Sequence, residues 1–181
     1  MFYYPAEKVL AKFSDIIITI NHEDYTRADK FHYKKDGGAA LIPGVGVDLE
    51  KFYPLKEDEV HERDTLRKNL GIPEHAFHIV SAGEINKNKN LRVVIEAIAK
   101  LARSDIYYSI CGEGPNRKNL ETEIKKYGLS DRVFLQGYRN DMPKIWSTAD
   151  ISVFPSLREG MGMAGLEAMA SGIPLIAADN R

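Results

Sequence analysis

From residue 77 onward, short apolar runs alternate with helix-like segments at a nearly constant interval. FHIVSAG (77–83), IYYSICG (106–112), RVFLQG (132–137), ISVFP (151–155) and PLIAA (174–178) are rich in β-branched and aromatic residues, and read as strands. They begin near 78, 106, 133, 151 and 174, and the gaps of 28, 27, 18 and 23 residues are those of successive strand–helix–strand units. Strands this uniformly apolar, each followed by a helix, predict an α/β domain with a parallel sheet covered on both faces. Ligands of such sheets sit beyond the carboxyl ends of the strands, where the strand order reverses. The loops after Gly83, Cys111, Gln136, Phe154 and Ala178 are therefore the ones to inspect.

The helices between these strands carry their own signals. NLRVVIEAIAKLA places Leu91, Val94, Ile95, Ile98, Leu101 and Ala102 on one face, with Asn90 as the expected N-cap. Further helices are expected before Gly71, near 116–127 up to Gly128, over 141–149, and over 163–171 up to Gly172. The first 41 residues differ. EKVLAKF (7–13) reads as the end of an amphipathic helix, DIIITI (15–20) as a buried strand, HEDYTRADKF as a helix and AALIPG (39–44) as a second strand. IPGVGVDLEKFYPLKEDE, from residue 42, has no period and much Gly, Pro and charge, as a linker would.

Composition narrows the function classes. With 25 basic and 26 acidic residues the chain has no excess charge to draw nucleic acid or an anionic membrane. One cysteine, Cys111, excludes an internal disulfide and fits a reducing, cytoplasmic setting. No apolar run approaches the roughly 18 residues that span a bilayer. The five histidines form no metal-ligand spacing.

Three loops could carry chemistry. SAGEINKNKN sets Lys87 and Lys89 beside a helix N-terminus, a place that favours an anion, although lysine and asparagine are also ordinary loop residues. CGEGPNRKNL opens like a dinucleotide fingerprint, but Arg117 stands where the third glycine belongs, which disfavours an oxidoreductase. There Gly112 and Gly114 suit a tight turn that lets a ligand approach the backbone, and Cys111 suits a small core position. SLREGMGMAGLEAMASGIP is the richest. Gly160 and Gly162 free the backbone next to Glu159, and Glu167 lies early in a helix of small residues. A carboxylate there needs donors if it is buried, and sugar or ribose hydroxyls are suitable ones. Plain surface charge is the alternative for both glutamates.

Glu159 and Glu167, with seven residues between them, resemble the E-x7-E signature of retaining glycosyltransferases of the GT-B fold, in the large family-four group. IPGVGVD, CGEGP, DRVFLQGY, ADISVFPSLREG and LEAMASGIPLIA are similar to the family's segments in order and spacing. The resemblance is nearest to bacterial enzymes of capsular and exopolysaccharide assembly. It implies two Rossmann-like domains facing a cleft. Residues 1–41 would be the remnant of the amino-terminal acceptor-side domain, 42–54 the interdomain linker, and 55–181 the nucleotide-sugar-binding domain, incomplete at its carboxyl end. The implied activity is transfer of a hexose from a nucleotide-sugar, a UDP-hexose, to a sugar or lipid-linked sugar acceptor, with retention and without metal or cofactor. Peripheral association of the full enzyme with a membrane would follow from a lipid-linked acceptor.

The resemblance also assigns roles. Glu167 would bind the ribose hydroxyls. Glu159, as the catalytic-site carboxylate, and the amides of Gly160, Met161, Gly162 and Met163 would hold the donor sugar and its phosphates. Lys89 would meet the diphosphate, beside Gly83. Gly112 to Pro115 (Gly114 included), with Gln136, Gly137 and Tyr138, would line the base pocket. Glu84 departs from the pattern, for many members carry arginine five residues before the lysine. A second reading, a non-catalytic nucleotide-sugar-binding module or half of a split enzyme, stays open.

Overall fold

A computed structural model describes residues 3–179, which fall into two compact units, Met1–Gly46 and Val47–Arg181. The division lies inside the segment expected to be a linker. The second half of that segment is not a free connector. Phe52 packs on the core of the second unit, and Pro54 lies so near Gly172 that a Cβ there would stand 3.1 Å from it.

The first unit contains α1 (Tyr3–Leu10), a 3-10 turn (Ala11–Phe13), β1 (Ile16–Thr19), α2 (His22–Ala28) and β2 (Gly38–Leu41). The Asn21 side chain caps α2, accepting from the Asp24 N–H at 2.8 Å. β1 and β2 run parallel, from Ile16 opposite Gly38 to Thr19 opposite Leu41. β1 departs from the expected buried strand. Ile17 packs on Ala11, Ala28 and Phe31, whereas Ile16 and Ile18 are 64% and 61% exposed. Strand side chains alternate, and within this unit only one face of the two-stranded sheet is covered.

The second unit contains α3 (Val60–Asn69), β3 (Phe77–Ala82), α4 (Arg92–Leu101), β4 (Ile106–Cys111), α5 (Arg117–Lys126), β5 (Val133–Gly137), α6 (Met142–Ser147), β6 (Ile151–Phe154), α7 (Met163–Ala170) and β7 (Leu175–Ala177). The five strands form one parallel sheet in the order β5-β4-β3-β6-β7. On one face, Ile79, Tyr108, Ile110 and Val133 meet Val94, Ile95 and Ile98 of α4 and Leu120 and Ile124 of α5. On the other, Val80 and Cys111 meet Ile145 and Trp146 of α6 and Ala168 of α7. The alternation along each strand thus feeds two cores, as a doubly wound sheet requires.

Two expectations for α4 are corrected. Asn90 is not its N-cap: it adopts φ +50°, and the helix begins at Arg92 with Leu91 in the cap position. Asparagine tolerates this left-handed backbone better than most residues, and the turn hands the preceding lysine to a neighbouring loop. At the other end Leu101 and Ala102 are exposed, because Ala102 takes φ +50° and ends the helix.

The chain runs outward from β3 to β4 and β5, then returns to β6 and β7 on the opposite side. The reversal lies between β3 and β6. These strands pair only at Ile79 with Ile151 and Val80 with Ser152. Beyond that point a side chain bridges them, the Ser81 hydroxyl donating to the Val153 carbonyl at 2.5 Å. The strand pairing ends there, at the point where sheets of this kind have their crevice beyond the carboxyl ends of the strands.

Candidate functional site

The loops after β3 and β6 flank this crevice and are fastened to each other. The Leu157 N–H donates to the Asn88 carbonyl at 2.8 Å, and the Asn88 side-chain amide donates to the Arg158 carbonyl at 2.8 Å. The Lys89 N–H is held by the Asn86 side chain at 3.0 Å. These asparagines look like plain loop polarity in the sequence, and only the fold shows them as fasteners. Between the loops Lys89 and Glu159 form an ion pair, their side chains 19% and 20% exposed. The Lys89 ammonium lies 4.7 Å over the ring of Phe154, at the end of β6, a cation–π contact that sequence reasoning missed. The lysine stem passes Gly83, where a Cβ would stand 3.1 Å from Lys89 Cε. Glu84 is exposed and accepts from the Asn86 amide at 2.8 Å.

In the loop after β4 the two glycines have a packing role of their own. A Cβ on Gly112 would run into the Gly83 carbonyl group, with the carbon 2.9 Å away, and φ there is +147°. A Cβ on Gly114 would meet Ile85, 2.7 Å from its N and 2.8 Å from its carbonyl carbon. What approaches these glycines is the backbone of the β3 loop. Ile85 donates to the Glu113 carbonyl at 2.9 Å, and Asn116 donates to the Ile85 carbonyl at 2.9 Å. Gly112 also donates to the Gly137 carbonyl at 2.7 Å, which ties in the loop after β5. Cys111 is buried and its thiol is pushed up to about 12, chiefly by burial, so it stays a neutral core residue.

At the end of β5, Ile110 pairs with Leu135 and Cys111 with Gly137, leaving Gln136 as the extra residue of a bulge. Its amide reaches the Ser109 hydroxyl at 3.5 Å. Ser109 in turn lies 2.9 Å from Nε2 of His78, whose Nδ1 is 3.0 Å from the Thr148 carbonyl. A carbonyl only accepts, so Nδ1 carries the proton and Nε2 accepts from Ser109. His78 is fully buried, and burial pushes it down to about 4, so it is neutral near pH 7. Nothing in the pattern of the chain singles out this histidine. Tyr138, next along, is 82% exposed.

The loop after β6 leads into α7 through Gly160, Met161 and Gly162. Around a Cβ on Gly160 there would be nothing within 4 Å. Gly162 caps α7 in the left-handed region, and Gly165 and Leu166 donate back to its carbonyl. The amides of Met163 and Ala164, ahead of those bonds, point out of the helix end. Gly165 lets α7 press on β7: its Cβ would be 3.2 Å from Leu175. Glu167 lies half-buried on α7. Burial raises its carboxyl above the usual glutamate range, and the Trp146 indole pulls weakly the other way. Trp146 is fully buried, and its N–H has no partner at hydrogen-bond geometry among the described residues. Glu159 and Glu167 thus have different surroundings: an ion pair with an ammonium for one, a half-buried place near an indole for the other.

The arrangement offers one side-chain cation, two carboxylates and a row of outward amides at the strand-order reversal. Such a set suits a ligand with both a phosphate and hydroxyl groups. Among the described residues no helix is long and apolar enough to cross a membrane.

Comparison with known proteins gives a consistent result. The family model described as glycosyl transferases group 1 matches residues 62–181. A protein named as a glycosyltransferase, EpsD of Bacillus subtilis (strain 168), is 39% identical over 183 residues, covering 100% of this chain and 47% of that protein. The Escherichia coli UDP-Gal:alpha-D-GlcNAc-diphosphoundecaprenol alpha-1,3-galactosyltransferase is 33% identical over 171 residues, covering 92% of this chain and 43% of that one. The chain therefore spans about half the length of the curated relatives it matches. Among solved structures, Anabaena Alr3699/HepE in complex with UDP and glucose aligns with a TM-score of 0.81 at 21% identity, over 97% of this chain and 47% of that one. The C-terminal domain of a glycosyl transferase group 1 family protein, LpcC of Francisella tularensis, aligns with a TM-score of 0.59 at 30% identity, over 73% of this chain and 70% of that one.

Proposed function

The chain belongs to the glycosyl transferases group 1 family and has its Rossmann-like α/β fold, and from that premise we propose that it supplies the donor site of a retaining hexosyltransferase. The donor in this reading is a UDP-hexose, and the acceptor is a sugar or lipid-linked sugar in polysaccharide assembly. The observation that carries it is the placement of Lys89 and Glu159 between the two loops at the strand-order reversal. The donor named for the E. coli relative, UDP-Gal, and the UDP and glucose of the HepE complex support the choice of ligand.

In this reading Lys89 and the amides from Gly160 to Met163 receive the diphosphate. Their positive ends are already oriented, so they stabilise the charge that grows on the leaving group without reorganising. Glu167 accepts from the ribose hydroxyls, and Glu159 from hydroxyls of the hexose. Tyr138 and the backbone from Gln136 to Gly137, across from Gly112 to Pro115, form the wall beside the base. Fixing the donor in this way leaves the acceptor hydroxyl as the only reactant still to be aligned.

Calorimetric titration of the chain with UDP and uridine tests the proposal. Glu167→Ala should weaken both about ten- to hundredfold, the equivalent of about 1.5–3 kcal/mol for charge-assisted hydrogen bonds to two hydroxyls. Lys89→Ala should weaken UDP about tenfold and leave uridine unchanged, with an effect that shrinks as salt rises. Absence of UDP binding to the wild-type chain, or equal losses for UDP and uridine in Lys89→Ala, would overturn it.

A further inference from the structure

Lys89 is more tightly committed than a diphosphate-binding lysine needs to be. Its stem lies on Gly83, its ammonium over Phe154, and its charge on Glu159. The two loops that carry the pair are pinned independently of it, through Asn88 to Leu157 and Arg158. Breaking the ion pair therefore leaves both groups in place, a short distance apart. Arg158 and Lys87 are exposed and hold neither group.

Taking the crevice as the donor site proposed above, we infer that Glu159 is a built-in stand-in for the donor's diphosphate and sets the pocket's preference for intact nucleotide-sugar over free nucleoside diphosphate. A diphosphate arriving at Lys89 must displace the carboxylate or share the ammonium with it. A free nucleoside diphosphate then leaves two anions side by side, an arrangement that weakens its binding. An intact nucleotide-sugar brings hydroxyl donors to the displaced carboxylate and masks one end of the diphosphate. The carboxylate that opposes the spent donor is thus compensated by the fresh one. After the sugar leaves, those hydroxyls leave with it, and Glu159 can reclaim Lys89 and help expel the product.

The experiment measures dissociation constants of UDP, uridine, UDP-glucose, UDP-galactose and UDP-N-acetylglucosamine for the full chain and its variants. Glu159→Gln keeps the shape and removes the charge. It should tighten UDP roughly three- to tenfold and leave uridine unchanged. The ratio of UDP to the best-bound UDP-hexose should fall by a similar or larger factor. Lys89→Met should abolish the gain, so that Glu159→Gln no longer tightens UDP in that background. Glu159→Ser gives the same expected direction should the glutamine variant fold poorly. An unchanged or weaker UDP constant in both Glu159 variants overturns the inference while leaving the donor-site reading intact. Tightening that persists without Lys89 overturns it as well. Failure of UDP to bind the wild-type chain defeats the donor-site reading, and this inference with it.

Discussion

Two glycine pairs that look alike in the sequence, Gly112-x-Gly114 and Gly160-x-Gly162, sit in opposite surroundings. The first is filled by its neighbours: the backbone of Gly83 and Ile85 occupies the space a side chain would take. The second is roomier, with nothing within 4 Å of a Cβ on Gly160 and only the Phe154 ring, at 3.7 Å, near one on Gly162. Both follow a strand and precede a helix, so local pattern cannot separate them. The difference is one of neighbours. The loop after β4 lies beside the loop after β3, whose backbone crosses it and is hydrogen-bonded to it. The loop after β6 faces the crevice where β3 and β6 part. A glycine can serve backbone-to-backbone packing or leave backbone open to a ligand, and the first pair does the former while Gly160 leaves room for the latter.

The contrast should break most visibly at Gly112. Gly112→Ala drives a methyl into backbone that cannot swing away, at φ +147°. The expected loss is about 3 kcal/mol or more, read as a large fall in the urea midpoint. A variant of wild-type stability would mean that the closed loop is not closed in solution.

Next in size is the response of the closed region to acid, because its support includes His78. The unfolded histidine titrates near 6.5 and the native one at about 4, so the unfolded chain binds more protons between those values. The stability is present in full above about pH 6.5 and is lost as pH falls towards 4. The loss is about 3 kcal/mol, caused chiefly by burial, with Arg67 adding to it and Asp150 and the Thr148 carbonyl opposing it. Urea titrations from pH 7 to 4 should show that slope flattened in His78→Gln. Equal slopes would place the acid sensitivity elsewhere.

Gly160→Ala should behave as the converse of Gly112→Ala. The added methyl meets open space, and stability should change by less than about 1 kcal/mol, towards gain, through a less flexible unfolded chain. UDP should nevertheless bind about tenfold more weakly if its phosphates approach that backbone. A stable variant with unaltered UDP affinity would close the open loop's claim to the ligand.

The smallest effect is expected at Glu167. Burial raises its carboxyl, so the charged form carries a cost in the native state that grows as pH rises through its titration. Glu167→Gln should raise the melting temperature of the ligand-free chain at pH 7 by about 1–3 °C, a gain below about 1 kcal/mol. The same variant should weaken UDP, so that stability and binding move in opposite directions. A lower melting temperature would show that the carboxylate supports the fold.

The repeat of strands and helices from residue 77 on was legible because burial on both faces demands continuous apolar runs, and those leave a period in the chain. The family resemblance was legible for a related reason: CGEGP, SLREG and LEAMASGIP join strand ends to helix starts in a set order. Glu159, Glu167 and Lys89 could be named from that order. Their partners could not. Phe154 under Lys89, Trp146 beside Glu167, Asn88 across to Arg158 and His78 against Ser109 pair residues far apart in the chain. Periodicity reports which face of an element is buried, and it is silent on what covers that face. That is why β1 misled as a buried strand and Asn90 as a helix cap. The sequence by itself determined the alternation of elements, the two cores and the residue types at each strand end. The strand order decided the rest, since β3 and β6 become neighbours only when the chain doubles back, and that return makes the crevice and joins Lys89 to Glu159.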